Sequence, residues 1–157
     1  MYQRVSDTHF AARPATPARL VRRVATIAGS IRGVSRFRVD HTCSRCVSVM
    51  RGDDVVLARC HVADGWFSRL VGLLGTADLA TDEGLWIAPC ASVHTWGMRI
   101  AIACAFLDAQ GRVLRVVDPL PRWRAASFRG AAVVLEAHAG ALRTVRVGEV
   151  LRQVSAD

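Results

Sequence analysis

The sequence predicts a mostly β fold, a β-rich α+β domain built as a compact antiparallel barrel or sandwich of short strands with one packed helix near residues 65–74. Three observations carry this. Short runs rich in Val, Ile, Leu and Trp recur between residues 55 and 154, and Gly, Pro and Asp punctuate them at close intervals. A single segment, 65–74, instead shows helical spacing of its apolar residues. Short strands of this kind bury a face by stacking or by closing on themselves, and one helix suffices to cover a remaining side.

Taken in order, residues 55–62 read as a strand on β-branched content. Asp64 is a good N-cap for the helix, whose stripe is Phe67, Leu70, Val71 and Leu74, and Gly75 is its stop. Residues 84–88 form a buried strand closed by Pro89. Residues 94–98 and 100–107 read as one bent strand or two consecutive strands, with Gly97 permitting a bulge. An extended segment there puts Trp96 and Met98 on one face. Asp108-Ala109-Gln110-Gly111 is a hairpin turn into 112–117, where charged and apolar residues alternate. Pro119, Pro121, Trp123 and Arg124 make a rigid, exposed loop, and residues 131–137, 142–147 and 149–154 supply the remaining strands.

A chain of 157 residues has the length of one domain, and its apolar content of 52% with four Trp excludes global disorder. Residues 1–49 carry nine Arg against Asp7 and Asp40, a net +7; residues 50–157 carry twelve Arg against eleven acids, a net +1. The first stretch therefore reads as a basic, disordered tail and the second as a single globular domain. Because the charge step coincides with Met50, an overextended start, with translation beginning at Met50, is an alternative for the tail. All 21 basic residues are Arg, which we attribute to coding bias, so the high pI is not taken to indicate nucleic acid and no nucleic-acid partner is expected.

Five Cys, an odd number, argue against a disulfide framework and for reduced thiols in the cytoplasm. Export is the alternative: Arg22 and Arg23 precede eight uncharged residues, 24–31, a run far short of the ~20 that span a bilayer. Leu20, Val24, Ile27 and Ile31 share a helical face that could touch an anionic membrane surface, but the face is narrow and Gly29 and Gly33 weaken the helix. Cys43 and Cys46 form a lone C-x-x-C. Two thiolates can share a tetrahedral zinc, yet no second ligand pair follows at matching spacing, so no metal is expected there.

The chemistry concentrates in the uncharged stretch 89–98, which ends at Arg99. A thiol (Cys90), an imidazole (His94), an indole (Trp96) and a thioether (Met98) lie within nine residues. Cys90 oriented by His94 would make a thiol- or metal-dependent hydrolase, but no third orienting group can be named, and a histidine in a β-rich core ordinarily serves as a hydrogen-bonded structural residue. Cys104, inside an apolar strand, is packing. Glu136 follows Val133-Val134-Leu135, where a carboxylate is costly unless paired; Arg69 or Arg99 is the expected partner. Together Arg69, His94, Trp96, Met98, Arg99 and Glu136 outline a ligand cleft. The favoured function is a non-catalytic module that binds a small polar or amphipathic ligand, or a partner protein, without a cofactor; the Cys90–His94 hydrolase is the alternative.

Residues 55–153 also resemble a known family. The residues that carry this are Arg69-Leu70-Val71-Gly72-Leu73-Leu74, Gly84-Leu85-Trp86-Ile87, His94-Thr95-Trp96-Gly97-Met98-Arg99, Phe106-Leu107-Asp108 with Gly111, and Val134-Leu135-Glu136 with Gly140 and Gly148-Glu149. Their order resembles that of domain of unknown function 192, a small β-rich fold found mainly in bacteria and archaea. The resemblance implies the fold and no established activity. Two positions depart from the family pattern: Thr76 where an Arg is usual, and Ala101-Ile102-Ala103 where a Pro-x-Asp is usual. Losing a cation and an anion together is consistent with a structural ion pair replaced by small residues.

Overall fold

The computed structural model describes residues 45–63, 73 and 78–155, all within the compact unit Val34–Asp157. They form nine strands: β1 (Arg45–Arg51), β2 (Asp54–Ala63), β3 (Glu83–Ile87), β4 (Ser92–His94), β5 (Ile102–Leu107), β6 (Val113–Leu120), β7 (Ala125–Ser127), β8 (Val133–His138) and β9 (Leu151–Ser155). Seven of them make one sheet in the order β6-β5-β8-β3-β2-β1-β9, and β4 and β7 make a separate ribbon. Every neighbouring pair is antiparallel except β2 and β3. A parallel pair requires a crossover, supplied by residues 64–82.

The sheet curls into a half-barrel. Arg112 bridges Val150, and the Leu151 N–H donates to the Gly111 carbonyl at 2.9 Å, which draws the two edge strands together at one end. The turn that makes this possible is local: the Asp108 carboxylate accepts from the N–H groups of Gln110 (2.9 Å) and Arg112 (2.8 Å), and Gly111 sits at φ 82°.

Alternation along the strands fills two cores. On β5, Ala103, Ala105 and Leu107 enter a first core with Val49, Leu57, Leu135, Val113 and Leu151 from the other strands of the sheet. Ile102, Cys104 and Phe106 enter a second core on the opposite face, with Leu85, Val134, Met98, Val93 and Ala126. Burial on both faces explains why 102–107 is uninterrupted by polar residues. Among the described residues the buried acid with an ion-pair partner is Glu83, paired to Arg59 at 3.1 Å; the parallel register sets Arg59 opposite Glu83.

Several expectations need revision. The described residues are mostly β and contain no helix; the helix expected over 65–74 lies outside them apart from Leu73, which is buried in the second core. Residues 142–147 are turns with a short irregular link at 145–146 and not a strand: Leu142 and Val145 are the buried positions, a spacing of three that does not suit a strand, while Val147 is exposed. The expected bent strand over 94–98 is β4 followed by a turn, closed by the Met98 N–H donating to the Thr95 carbonyl at 3.2 Å. β1 and β7 were not foreseen. The expected division between residues 49 and 50 falls inside β1, which pairs with both β2 and β9. Arg69, Cys43 and the segment 20–31 lie outside the described residues. Among the described residues no helix is long and apolar enough to cross a membrane.

Candidate ligand groove on the β4–β7 ribbon

The ribbon pairs Ser92 with Ser127, Val93 with Ala126 and His94 with Ala125. Val93 and Ala126 point into the second core, which leaves Ser92, His94, Ala125 and Ser127 on the outer face. Three of these four are small. The floor is therefore low, and Trp96 and Arg115 rise beside it to enclose an open groove of about 480 Å³.

Its two walls differ in chemistry. The His94 imidazole stacks on the Trp96 indole with centroids 5.1 Å apart and planes at 19°, a spacing within the usual range for aromatic pairs. Although stacked, Trp96 remains 55% exposed. Opposite in character is Arg115, whose Nη1 donates to the Ser127 carbonyl at 3.0 Å. Ion pairs among the described residues involve only Arg51 and Arg59. Arg115 thus carries its charge to the groove without a carboxylate.

The ribbon continues into a rigid end. Thr95 is fully buried; its hydroxyl donates to the Pro121 carbonyl at 2.6 Å and accepts from the Arg124 N–H at 2.9 Å. Its backbone carbonyl accepts from the Trp123 N–H at 3.2 Å. Trp123 adopts φ 59°, unusual for a bulky residue, and its side chain is 57% exposed. Arg122 Nε donates to the Met98 carbonyl at 3.1 Å and Arg124 Nη1 to the Trp123 carbonyl at 3.1 Å, so both guanidinium groups staple this loop.

Of the six residues expected to line a cleft, His94 and Trp96 meet in the groove and Arg99 is exposed just beyond them. Met98 is buried in the second core, turned inward by the bend at 95–98. Glu136 is likewise buried, in the middle of the sheet between Leu85 of β3 and Cys104 of β5. Neither reaches the groove surface. No ion pair from an arginine to Glu136 occurs among the described residues, and its Oε2 is buried without a hydrogen-bond partner. Burial pushes its carboxyl up to about 7. The Cys104 thiol is pushed up to about 12, by burial first and then by the nearby Glu136 charge. Ser92, Arg115, Ala125 and Ser127 also line the groove, and the sequence marks Arg115 only by the alternation of charged and apolar residues at 112–117.

The Cys90 thiol donates to the Ser92 carbonyl at 3.1 Å and its side chain packs against the second core, while His94 lies on the outer face against Trp96. Cys46 is exposed on β1. Among the described residues no three His, Cys, Asp or Glu side chains converge as a metal set.

Two solved structures share this fold. One is a protein from Sinorhizobium meliloti 1021, provisionally described as a transcription regulator, with a TM-score of 0.63 and 16% identity over 73% of this chain and 97% of the other. The second is a protein of unknown function from Novosphingobium aromaticivorans DSM 12444, with a TM-score of 0.60 and 19% identity over 68% of this chain and 83% of that one. At such identities the likeness concerns the fold. No protein of curated function matches the chain. The family model for DUF192, Uncharacterized ACR, matches residues 47–153, which take in all nine strands except the first two residues of β1 and the last two of β9, and the chain belongs to that family.

Proposed function

We propose that this domain is a non-catalytic binding module and that the groove on the β4–β7 ribbon is its ligand site. The observation that carries this is the presentation of Trp96: a large indole left more than half exposed, yet fixed by the His94 stack and by a backbone locked through Thr95. Exposed aromatic surface held rigid costs little ordering entropy on binding, as ligand sites require. The groove volume of about 480 Å³ falls within the range of small-molecule sites. Cys90 precedes the ribbon and packs against the second core, whereas His94 stands on the outer face of β4 against Trp96, an arrangement that favours binding over a thiolate–imidazole pair.

A fragment screen of the full chain by ligand-observed NMR tests the reading. Fragments should bind and shift the Trp96 indole N–H resonance, and Trp96→Ala should lose them while keeping the wild-type melting temperature. Hits that map only elsewhere, or a screen without hits, would sink the proposal.

A further inference from the structure

We infer that the groove selects a ligand in which a flat ring carries an anionic group, the chemistry shared by an aromatic carboxylate and a mononucleotide. This rests on the reading of the groove as a ligand site and adds what that site prefers. Two features of the lining lead to it.

The first is the π surface. His94 is held nearly parallel to Trp96 at 5.1 Å, so the pair already forms a short stack on one side of the groove. A planar ring can extend that stack, gaining dispersion and excluding water from a face that is otherwise wet. The floor beneath it is built of Ser92, Ala125 and Ser127, whose small side chains leave room for a ring.

The second is the guanidinium of Arg115. One of its nitrogens, Nη1, is committed to the Ser127 carbonyl at 3.0 Å; this fixes the plane of the fork, and the remaining N–H donors are those that can take two oxygens of a carboxylate or phosphate. Among the described residues no acid lines the groove and no carboxylate pairs with Arg115. Arg122, tied to the Met98 carbonyl beside Arg99, and its neighbour Arg124 are exposed like Arg99, and among the described residues all three add positive potential without compensating ion pairs. A neutral ring would leave this charge unused. A ringless anion would leave the stack unused.

Isothermal titration calorimetry on the full chain, with two matched series, separates the terms. The carboxylate series is indole-3-acetate, indole-3-acetamide and acetate; the phosphate series is adenosine monophosphate, adenosine and inorganic phosphate. In at least one series the ring-bearing anion should bind about tenfold or more tightly than both its neutral and its ringless counterpart, as a charge-assisted bidentate contact implies. The series that responds identifies the anion. Arg115→Gln should bring the charged and neutral members to within about twofold of one another, with Arg115→Lys intermediate and the thermal melting of both variants unchanged. Trp96→Ala should weaken both members. If the neutral member binds as tightly as the anion, or Arg115→Gln leaves their ratio unaltered, the ligand class is wrong although the groove remains a site. If none of the six compounds binds, the inference also fails, and the fragment screen decides separately whether the groove binds anything.

Discussion

Thr95 and Arg124 hold each other in both directions: the Thr95 N–H donates to the Arg124 carbonyl at 2.8 Å, and the Arg124 N–H donates to Thr95 Oγ1 at 2.9 Å. With the further bond from the hydroxyl to the Pro121 carbonyl, one buried threonine ties the end of β4 to the loop that carries Trp123. Thr95→Val keeps the shape and removes the hydroxyl, which strands a partly buried N–H and a partly buried carbonyl. The expected loss is on the order of 3 kcal/mol, read as a lower urea midpoint at unchanged m-value. Thr95→Ser should recover most of it. Because the strained backbone of Trp123 persists only while its surroundings hold it, Thr95→Val should also red-shift tryptophan emission before global unfolding.

Glu136 makes the domain's stability depend on pH in an unusual direction. Its folded value, about 7, lies above the unfolded reference of 4.5 because burial disfavours the carboxylate. Between these values the folded state holds a proton that the unfolded state has released, so stability is fully present below pH 4.5 and declines as pH rises towards 7. The shift corresponds to a loss of about 3 kcal/mol across that window. Urea unfolding at a series of pH values should show this decline, and Glu136→Gln should flatten it. A wild-type profile already flat over the window would mean that Glu136 is ionised in the folded protein at no cost.

What the sequence disclosed depended on how local the determining interactions are. The β5–β6 hairpin was legible because Asp108 caps the turn that Gly111 completes, all within five residues. β7 was not legible, since Ala125-Ala126-Ser127 has no strand propensity of its own and is extended only because β4 pairs with it. β1 was masked by its setting: Val47 and Val49 alternate properly, but they follow a run of arginines that reads as a tail. The groove failed for a third reason. Period two placed Met98 beside Trp96, whereas the turn closed on Thr95 sends Trp96 outward and Met98 into the core, and Arg115 joins the site from a strand that is remote in sequence. Glu83, which finds Arg59 only through the parallel β2–β3 register, was invisible for the same reason.

The thiols give a direct reading of burial. Cys60 and Cys104 are buried and Cys46 is exposed, and burial pushes the Cys104 thiol up to about 12, leaving it essentially without thiolate at neutral pH. Iodoacetamide at pH 7.5 followed by peptide mass spectrometry should label Cys46 within minutes and leave Cys60 and Cys104 unmodified until denaturant is added. Cys90, half-buried with its S–H directed to the Ser92 carbonyl, should react no faster than a free thiol. A rate well above that would revive the hydrolase reading.

A chain that begins at Met50 would lack the first five residues of β1 as the structure describes it. Those residues include Val47 and Val49, 3% and 0% exposed, which contribute to the first core. They also form the Val47–Ser155, Ser48–Val154 and Val49–Gln153 pairs that hold β9, so removing them exposes a long edge on β2 and leaves β9 held mainly near Leu151. Burying two valines is worth about 3–6 kcal/mol, a large part of the stability of a domain this size. The shortened chain should therefore melt well below the full one or aggregate, and a chain begun at Val34, which restores β1 and omits most of the basic stretch, should melt like the full protein. If the Met50 chain were as stable as the full chain, β1 would have to be dispensable to the half-barrel, contrary to its two ladders. If both shortened chains failed alike, residues before Val34 would be needed for folding, and the compact unit would extend further toward the N-terminus than its contacts indicate.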